Sequence, residues 1–373
     1  MNCRSCMKEI DILLDLSHIP ISISGDCRVV KKGVIIYKCM SCNFIQKMMA
    51  DDIQKDNFKT FSSSMLSERT EQTKFIDGKQ MPRSELIING INNFFPEYGK
   101  ILDIGTGNGA FLKAFKKYKK NWELYAQDIH SNFKNDIISL IGIENRFFEG
   151  DINKISGKFD IVSLNHVLVH IVELHKFIEK LHKLMENNGN IIIQINDTET
   201  NFFDMVIMDH INHFSKQTLF DLLKKEFRDI SFFNIIPREI SVVIGKNVDN
   251  NKMIDLDIKE KVNIEEMTKK LEIFINYIHL SKEMYIVFGT APFSIYMGAL
   301  LGDRRLINFI DEDSNKIGKV YLNKNILKPI NKITKYKIIL PFSDIKIINN
   351  IKNRYLKLEF ITCYDVKEKD IKK

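Results

Sequence analysis

Short apolar runs alternate with amphipathic segments along the middle of the chain. In SELIINGINNFF, residues 84–95, the apolar positions recur at helical spacing, and Pro96 with Gly99 breaks that helix. Residues 101–104 read as a buried strand, followed by a turn carrying Gly105, Gly107 and Gly109 and a helix over 110–117. WELYAQD predicts a second strand ending in Asp128, and RFFEGDI a third ending at Asp151. Residues 159–171 open as a fourth strand and pass into a loop near Asn165. VELHKFIEKLHKLMENNG is an amphipathic helix closed by Gly189, and NIIIQIN is a fifth strand. Such alternation implies an α/β fold with a doubly wound parallel sheet that binds ligands at the strand carboxyl ends.

The flanks differ. Residues 51–81 are polar and read as a connector, and residues 247–263 as a charged linker. Beyond the linker, IEEMTKKLEIFINYIHL is a helix, MYIVF a strand before a turn and helix, RLINFI a strand, and YKIILP strand-like. This is a second strand-turn-helix-strand unit. The expected division is 1–57, 58–246 and 247–373, in line with about 150 residues per domain. The uncharged run over 285–302 is long enough to raise the question of a membrane span. Gly289, Thr290, Pro292 and Ser294 interrupt it, so a strand, a tight turn and a buried helix are expected and no span. Arg4, Lys8 and Glu9 precede no apolar stretch, so no signal peptide is expected and the setting is read as cytoplasmic.

Composition narrows the classes. The 373 residues are 44% apolar and 28% charged, with 17 Gly and 7 Pro, which excludes disordered and collagenous chains. The net charge of +7 is dispersed, so a small-molecule substrate is expected rather than nucleic acid, and an anionic one would be welcome.

Four of the six cysteines form two C-x-x-C pairs, Cys3 with Cys6 and Cys39 with Cys42. Each two-residue gap lets both sulfurs face one ion, and two such knuckles complete a tetrahedral thiolate site with no open position, as in structural zinc. The alternative is a redox-active pair. A segment this short buries little core alone, so a metal staple makes physical sense. Cys27 and Cys363 stand alone and read as small buried apolar residues.

The glycine turn also fits a dinucleotide fingerprint, Gly105-x-Gly107-x-x-Ala110. Asp103, two residues before it, would repel a phosphate pair but suits the ammonium group of S-adenosylmethionine (SAM). Asp128 would accept bonds from the ribose hydroxyls, and Asp151 from the adenine amino group.

ILDIGTGNG followed by acids at successive strand ends resembles the class I SAM-dependent methyltransferases, with their Rossmann-like domain. CRSC, LDLSHIPIS and CMSCNFIQ resemble the N-terminal zinc-binding domain of the sugar C-methyltransferases, which act on nucleotide-linked deoxysugars. NHVLVHI is similar to that family's Asn-containing loop, placing Asn165 in the cofactor set with Asp103, Gly105, Gly107, Gly109, Asp128 and Asp151. DEDSNKIGK, after a strand, resembles the family's C-terminal Rossmann-like α/β domain. The resemblance implies C- or O-methylation of a sugar or sugar-nucleotide, with structural zinc on Cys3, Cys6, Cys39 and Cys42. It could serve cell-surface polysaccharide or deoxysugar synthesis.

Methyl transfer needs an aligned acceptor and a group to take its proton, and His suits neutral pH. In FFDMVIMDHINHFS the family's catalytic segment keeps its final His as His210, with Asp209 in place of Glu. Its Tyr position is Ile207, its first His is Met208, and His213 takes the place of a later Tyr. REISVVIG replaces its His-Gly-Gly-Ser stretch. The resemblance makes His210 the candidate base, Asp209 its neighbour and His166 the second choice, with His170 structural. Phe111, Tyr125 and Met185 read as core. Two rival readings are a nicotinamide-dependent oxidoreductase on the same glycine turn, and a non-catalytic SAM-fold binding protein that has lost its base.

Overall fold

A computed structural model describes residues 1–48, 71, 73–76, 79–245, 263–332 and 335–371. Most of the 51–81 connector and nearly all of the 247–263 linker lie outside the described residues, as do the junctions at 57/58 and 246/247.

Seven strands make the central sheet. Their order is Phe147–Glu149, Asn121–Asp128, Tyr98–Ile104, Phe159–Asn165, Met185–Asn196, Glu239–Ile244 and Ile230–Phe233. The first five are parallel, and register sets Ser163 beside Asp103. The expected all-parallel sheet needs correction at one edge, where the last two strands run antiparallel. Only residues 234–238 join them, too few for the crossover that a parallel pair requires. The expected helix closed by Gly189 is also corrected: Leu174–Leu184 ends earlier, and the next strand begins at Met185, paired with Phe159. A Cβ on Gly189 would lie 3.0 Å from the Phe159 carbonyl oxygen, so this glycine serves close strand approach rather than a helix cap.

The third strand spans only Phe147–Glu149, and Asp151 lies two residues beyond it. The first helix covers Arg83–Ile91 with a 3-10 turn after it, and the helix after the glycine turn covers Ala110–Tyr118. Of the three residues read as core, Phe111 is buried, whereas Tyr125 and Met185 are half-buried against the core.

A second sheet of six strands follows. Tyr285–Phe288, Leu306–Ile310, Lys337–Ile339 and their neighbours run parallel except for the edge strand Val320–Tyr321. The 285–302 run resolves into a strand, a turn at Gly289 and a helix beginning at Pro292. Among the described residues no helix is long and apolar enough to cross a membrane.

The N-terminal segment forms a four-stranded antiparallel sheet, Ile10–Asp15, Ile35–Cys39, Ile45–Lys47 and Asn212–His213. The last strand is borrowed from the chain just past His210. The segment has little core of its own. Leu16, Ile23 and Ile36 share a core with Phe274, Ile275 and Tyr296 of the third unit, whereas Cys3, Cys39 and Phe44 pack on the central sheet. Lone Cys27 and Cys363 are buried as expected.

Candidate active site and thiolate cluster

The two cysteine knuckles repeat one geometry. In each, the first Cys N–H donates to the carbonyl five residues on, Lys8 or Phe44. The residue four on, Met7 or Asn43, has φ of 66° or 59° and donates back to the first Cys carbonyl. Four sulfurs thereby converge, all within 4.8 Å of one another, with Cys3–Cys42 at 3.6 Å and Cys6–Cys39 at 3.4 Å. A tetrahedron of Zn–S bonds of about 2.3 Å has edges of roughly 3.8 Å, so the donor set fits such an ion.

The carboxyl ends of the parallel strands open onto a cavity of about 1030 Å³. Gly105, Gly107 and Gly109 have φ of 65°, 54° and 75°, the left-handed region that glycine enters freely. A Cβ on Gly105 would meet Val167 at 2.7 Å, whereas Gly107 faces open space in the cavity. Gly109 is not among the lining residues; it caps the following helix and faces Ile137 and Leu140. Asp103 is buried, accepts from Ser163 Oγ at 2.6 Å, and lies 3.5 Å from Asn165 Nδ2. Burial pushes its carboxyl up to about 6, against those hydrogen bonds. Asp128 accepts from the N–H groups of Gly107 (2.8 Å) and His130 (2.9 Å), and burial raises its pKa. Asp151 is exposed at the cavity wall and accepts from Asn153 N–H. The Asn165 Oδ1 is buried without a hydrogen-bond partner and lines the same cavity. A cationic, hydroxyl-rich ligand fits this wall: carboxylates at two strand ends, a glycine with no side chain in the way, and an orphaned acceptor.

Opposite chemistry is gathered on the segment 202–213. A 3-10 turn, Phe202–Val206, brings Asp204 back toward His210, with His210 Nδ1 at 2.8 Å from Asp204 Oδ1. An ionised carboxylate only accepts, so in the neutral imidazole Nδ1 carries the proton and Nε2 keeps its lone pair. Burial alone would lower the imidazole; Asp204 overrides it and leaves the pKa raised. Asp204 is held well below the usual carboxylate range, burial being outweighed by His210 and His213. Asn196 Nδ2 donates to the same carboxylate at 2.7 Å, and His213 Nδ1 is 3.4 Å from its other oxygen. His213 is driven down to about 4 by burial and by Lys47.

Asp209, the expected neighbour, makes no hydrogen bond to His210, although its carboxylate and His210 Nε2 both face Gly25 and its charge adds to the raised imidazole pKa. Its Oδ1 accepts from Gly25 N–H at 2.7 Å, and its main-chain oxygen lies 2.9 Å from His170 Nδ1. A Cβ on Gly25 would come within 3.1 Å of His210 Nε2, so this glycine keeps the space before the base clear. His166 lines the cavity with φ 55° and Nε2 3.4 Å from Glu239; burial and Arg83 lower it to about 4. Sequence reading missed Asp204, Glu239 and Lys47. Asp204 stood in the quoted segment, but its pairing with His210 depends on the chain reversal between them.

The N-terminal segment grips this segment from below. Lys47, buried, donates to the carbonyls of Met205 (2.8 Å) and Ile207. Burial brings its ammonium down to about 7, against the pull of Asp204 and Asp209. Arg4, inside the first C-x-x-C, donates to Ile211 O at 3.1 Å, and Met208 N–H donates to Ile23 O at 2.6 Å.

The strand order, the glycine turn and the acids at successive strand ends are arranged as in a class I methyltransferase domain. The comparisons agree at that level: residues 79–226 match the model of a family described as a methyltransferase domain. A malonyl-acyl-carrier protein O-methyltransferase of Calditerrivibrio nitroreducens is 32% identical over 121 residues, 32% of this chain and 46% of the relative. The chain thus spans about half the length of the curated relative it matches. Among solved structures, a SAM-dependent methyltransferase from Aquifex aeolicus is 18% identical, covering 43% of this chain and 91% of that one, with a TM-score of 0.37. Human N-acetylserotonin methyltransferase in complex with SAM is 16% identical, covering 44% and 51%, with a TM-score of 0.35.

Proposed function

We propose that the protein is a three-part SAM-dependent methyltransferase acting on a small-molecule acceptor, a sugar or nucleotide-linked sugar, at carbon or oxygen. The parts are a zinc-stapled module (1–57), the SAM domain (58–246) and a Rossmann-like domain (247–373). The observation that carries this reading is one cavity lined both by Asp103, Gly107 and Asp128 and by the Asp204–His210 pair.

Bound SAM supplies an electrophilic methyl group on a sulfonium. Asp103 and Asp128 hold its ammonium and ribose, Asn165 lies beside Asp103 at the ammonium end, Asp151 completes the adenosine side, and Gly107 admits the ligand against the backbone. His210 Nε2 takes the acceptor proton while Asp204 fixes the tautomer and stabilises the imidazolium. The non-catalytic alternative loses ground because a buried, carboxylate-oriented imidazole is retained beside the donor wall. Zinc on Cys3, Cys6, Cys39 and Cys42 is structural, since four thiolates leave no open position.

The test is S-adenosylhomocysteine release with a panel of nucleotide-sugars, and with a malonyl-carrier substrate such as the relative's name specifies. Turnover of a nucleotide-sugar is expected. Protection against thermal unfolding by NADH but not SAM would overturn the donor assignment, and turnover of the malonyl substrate alone would overturn the sugar.

A further inference from the structure

A second wall of the cavity is cationic. Arg83 and Lys74 both reach Glu239, with Arg83 Nη2 at 2.9 Å from Oε2 and Lys74 Nζ at 2.8 Å from Oε1. Gln194 Nε2 donates to Oε2 at 2.8 Å. Glu239 is therefore saturated. Arg238, next to it, is not. Its Nε is buried without a hydrogen-bond partner, and its guanidinium lies 5.6 Å from the Phe342 ring centroid. Among the described residues no carboxylate forms an ion pair with it; Asp344 and Glu239 act only at longer range, and Asp344 already accepts from Lys346 N–H. Burial lowers its pKa, yet a guanidinium stays charged. Lys74, Arg83 and Arg238 thus line the cavity together, and of the three Arg238 makes no ion pair with a described carboxylate.

A charged group without a counter-ion in a cavity is costly unless a ligand supplies one. Arg238 also holds φ of 66°, a strained conformation for a long side chain. Its strand, Glu239–Ile244, stands three positions along the sheet from Tyr98–Ile104, which carries Asp103. At about 4.8 Å per strand, that is roughly 14 Å from the donor wall. Pro292, Phe293 and Phe342 of the C-terminal unit line the cavity as well.

We propose that Arg238 is the recognition group for an oxyanion on the acceptor, a phosphate or a carboxylate, which the guanidinium grips by paired N–H donors while stacked on Phe342. This rests on the reading of the cavity as a methyltransferase site. The experiment is calorimetry on the full chain with inorganic phosphate and with malonate, at constant ionic strength and with S-adenosylhomocysteine bound. One probe is expected to bind, to weaken about 10-fold or more in Arg238→Gln, and to weaken less in Arg238→Lys, since charge survives but the fork does not. The probe that binds tells phosphate from carboxylate. S-adenosylhomocysteine affinity should not change in either variant. Arg238→Lys carries the test if Arg238→Gln melts early. The proposal falls if neither probe binds the parent protein, if Arg238→Gln binds as well as the parent, or if S-adenosylhomocysteine weakens in step, which would give the guanidinium to the donor's carboxylate. Failure of S-adenosylhomocysteine to bind the parent protein would instead overturn the methyltransferase reading.

Discussion

His210 Nδ1 lies 2.8 Å from Asp204 Oδ1, six residues back along the same segment, and this pairing rather than Asp209 orients the imidazole. His210→Ala should lower turnover by ~10²–10⁴-fold while S-adenosylhomocysteine affinity stays put. Asp204→Asn removes the charge that raises the His210 pKa, so the acid limb of the rate profile should move to lower pH. Normal turnover in His210→Ala would move the base to His166.

Gly25→Ala places a methyl group about 3.1 Å from His210 Nε2. Turnover should drop with donor affinity and melting temperature little changed. Parent-like kinetics would show that the acceptor does not approach Nε2 from that side.

Asp128→Ala should weaken SAM by about 1–3 kcal/mol, the scale of a lost charge-assisted hydrogen bond. Burial has raised Asp103 to about 6, so SAM affinity should also decline as pH falls below that value and the carboxyl becomes neutral. Calorimetry at pH 5 and 7.5 reads both effects; equal affinities at the two pH values would remove Asp103 from the ammonium site.

Acid should destabilise the fold through its buried histidines. His166 and His213 are lowered from 6.5 to about 4, so between those values the unfolded chain binds more protons and stability falls with pH. Asp103, raised from 3.8 to about 6, works in the opposite direction, as do Asp128, Asp197 and Glu199, which burial raises, while the lowered His170 adds to the histidine side. His210, with its raised pKa, loses its contribution only as pH rises. The urea midpoint should be lower at pH 4.5 than at pH 7, and His213→Gln should flatten the difference. A midpoint that rises on acidification would refute this balance.

Four converging thiolates should bind one zinc ion per chain, measurable by elemental analysis of chelator-free protein. Cys39→Ser should lower the melting temperature. Because Arg4 and Lys47 hold the His210 segment from the same module, it should also lower turnover in folded protein. Zinc-free parent protein, or a variant that melts like the parent, would end the structural-zinc assignment.

Local pattern was legible wherever one side-chain period covered an element. The helix Ile264–Leu280 has the bounds that its apolar spacing predicts, and the 285–302 run divides at Gly289. The glycine turn and Asp128 were likewise legible, because that turn and strand end are set within a few residues. Gly189 misled because a glycine after a helical run signals a cap, whereas here it relieves contact with the Phe159 carbonyl of a neighbouring strand.

What the sequence by itself determined is therefore the alternating elements up to the fifth strand, the two paired cysteine knuckles and the glycine turn with acids at the strand ends, since each arises from short-range spacing and backbone freedom. The tertiary structure decided the rest. Lys47 meets the Met205 carbonyl across 158 residues, Arg83 meets Glu239 across 156, and Arg4 meets Ile211 across 207. No periodicity records such pairings. The first and third exist because a segment too small to bury its own core spreads over both larger units and, in doing so, carries Lys47 and Arg4 against the segment that holds His210.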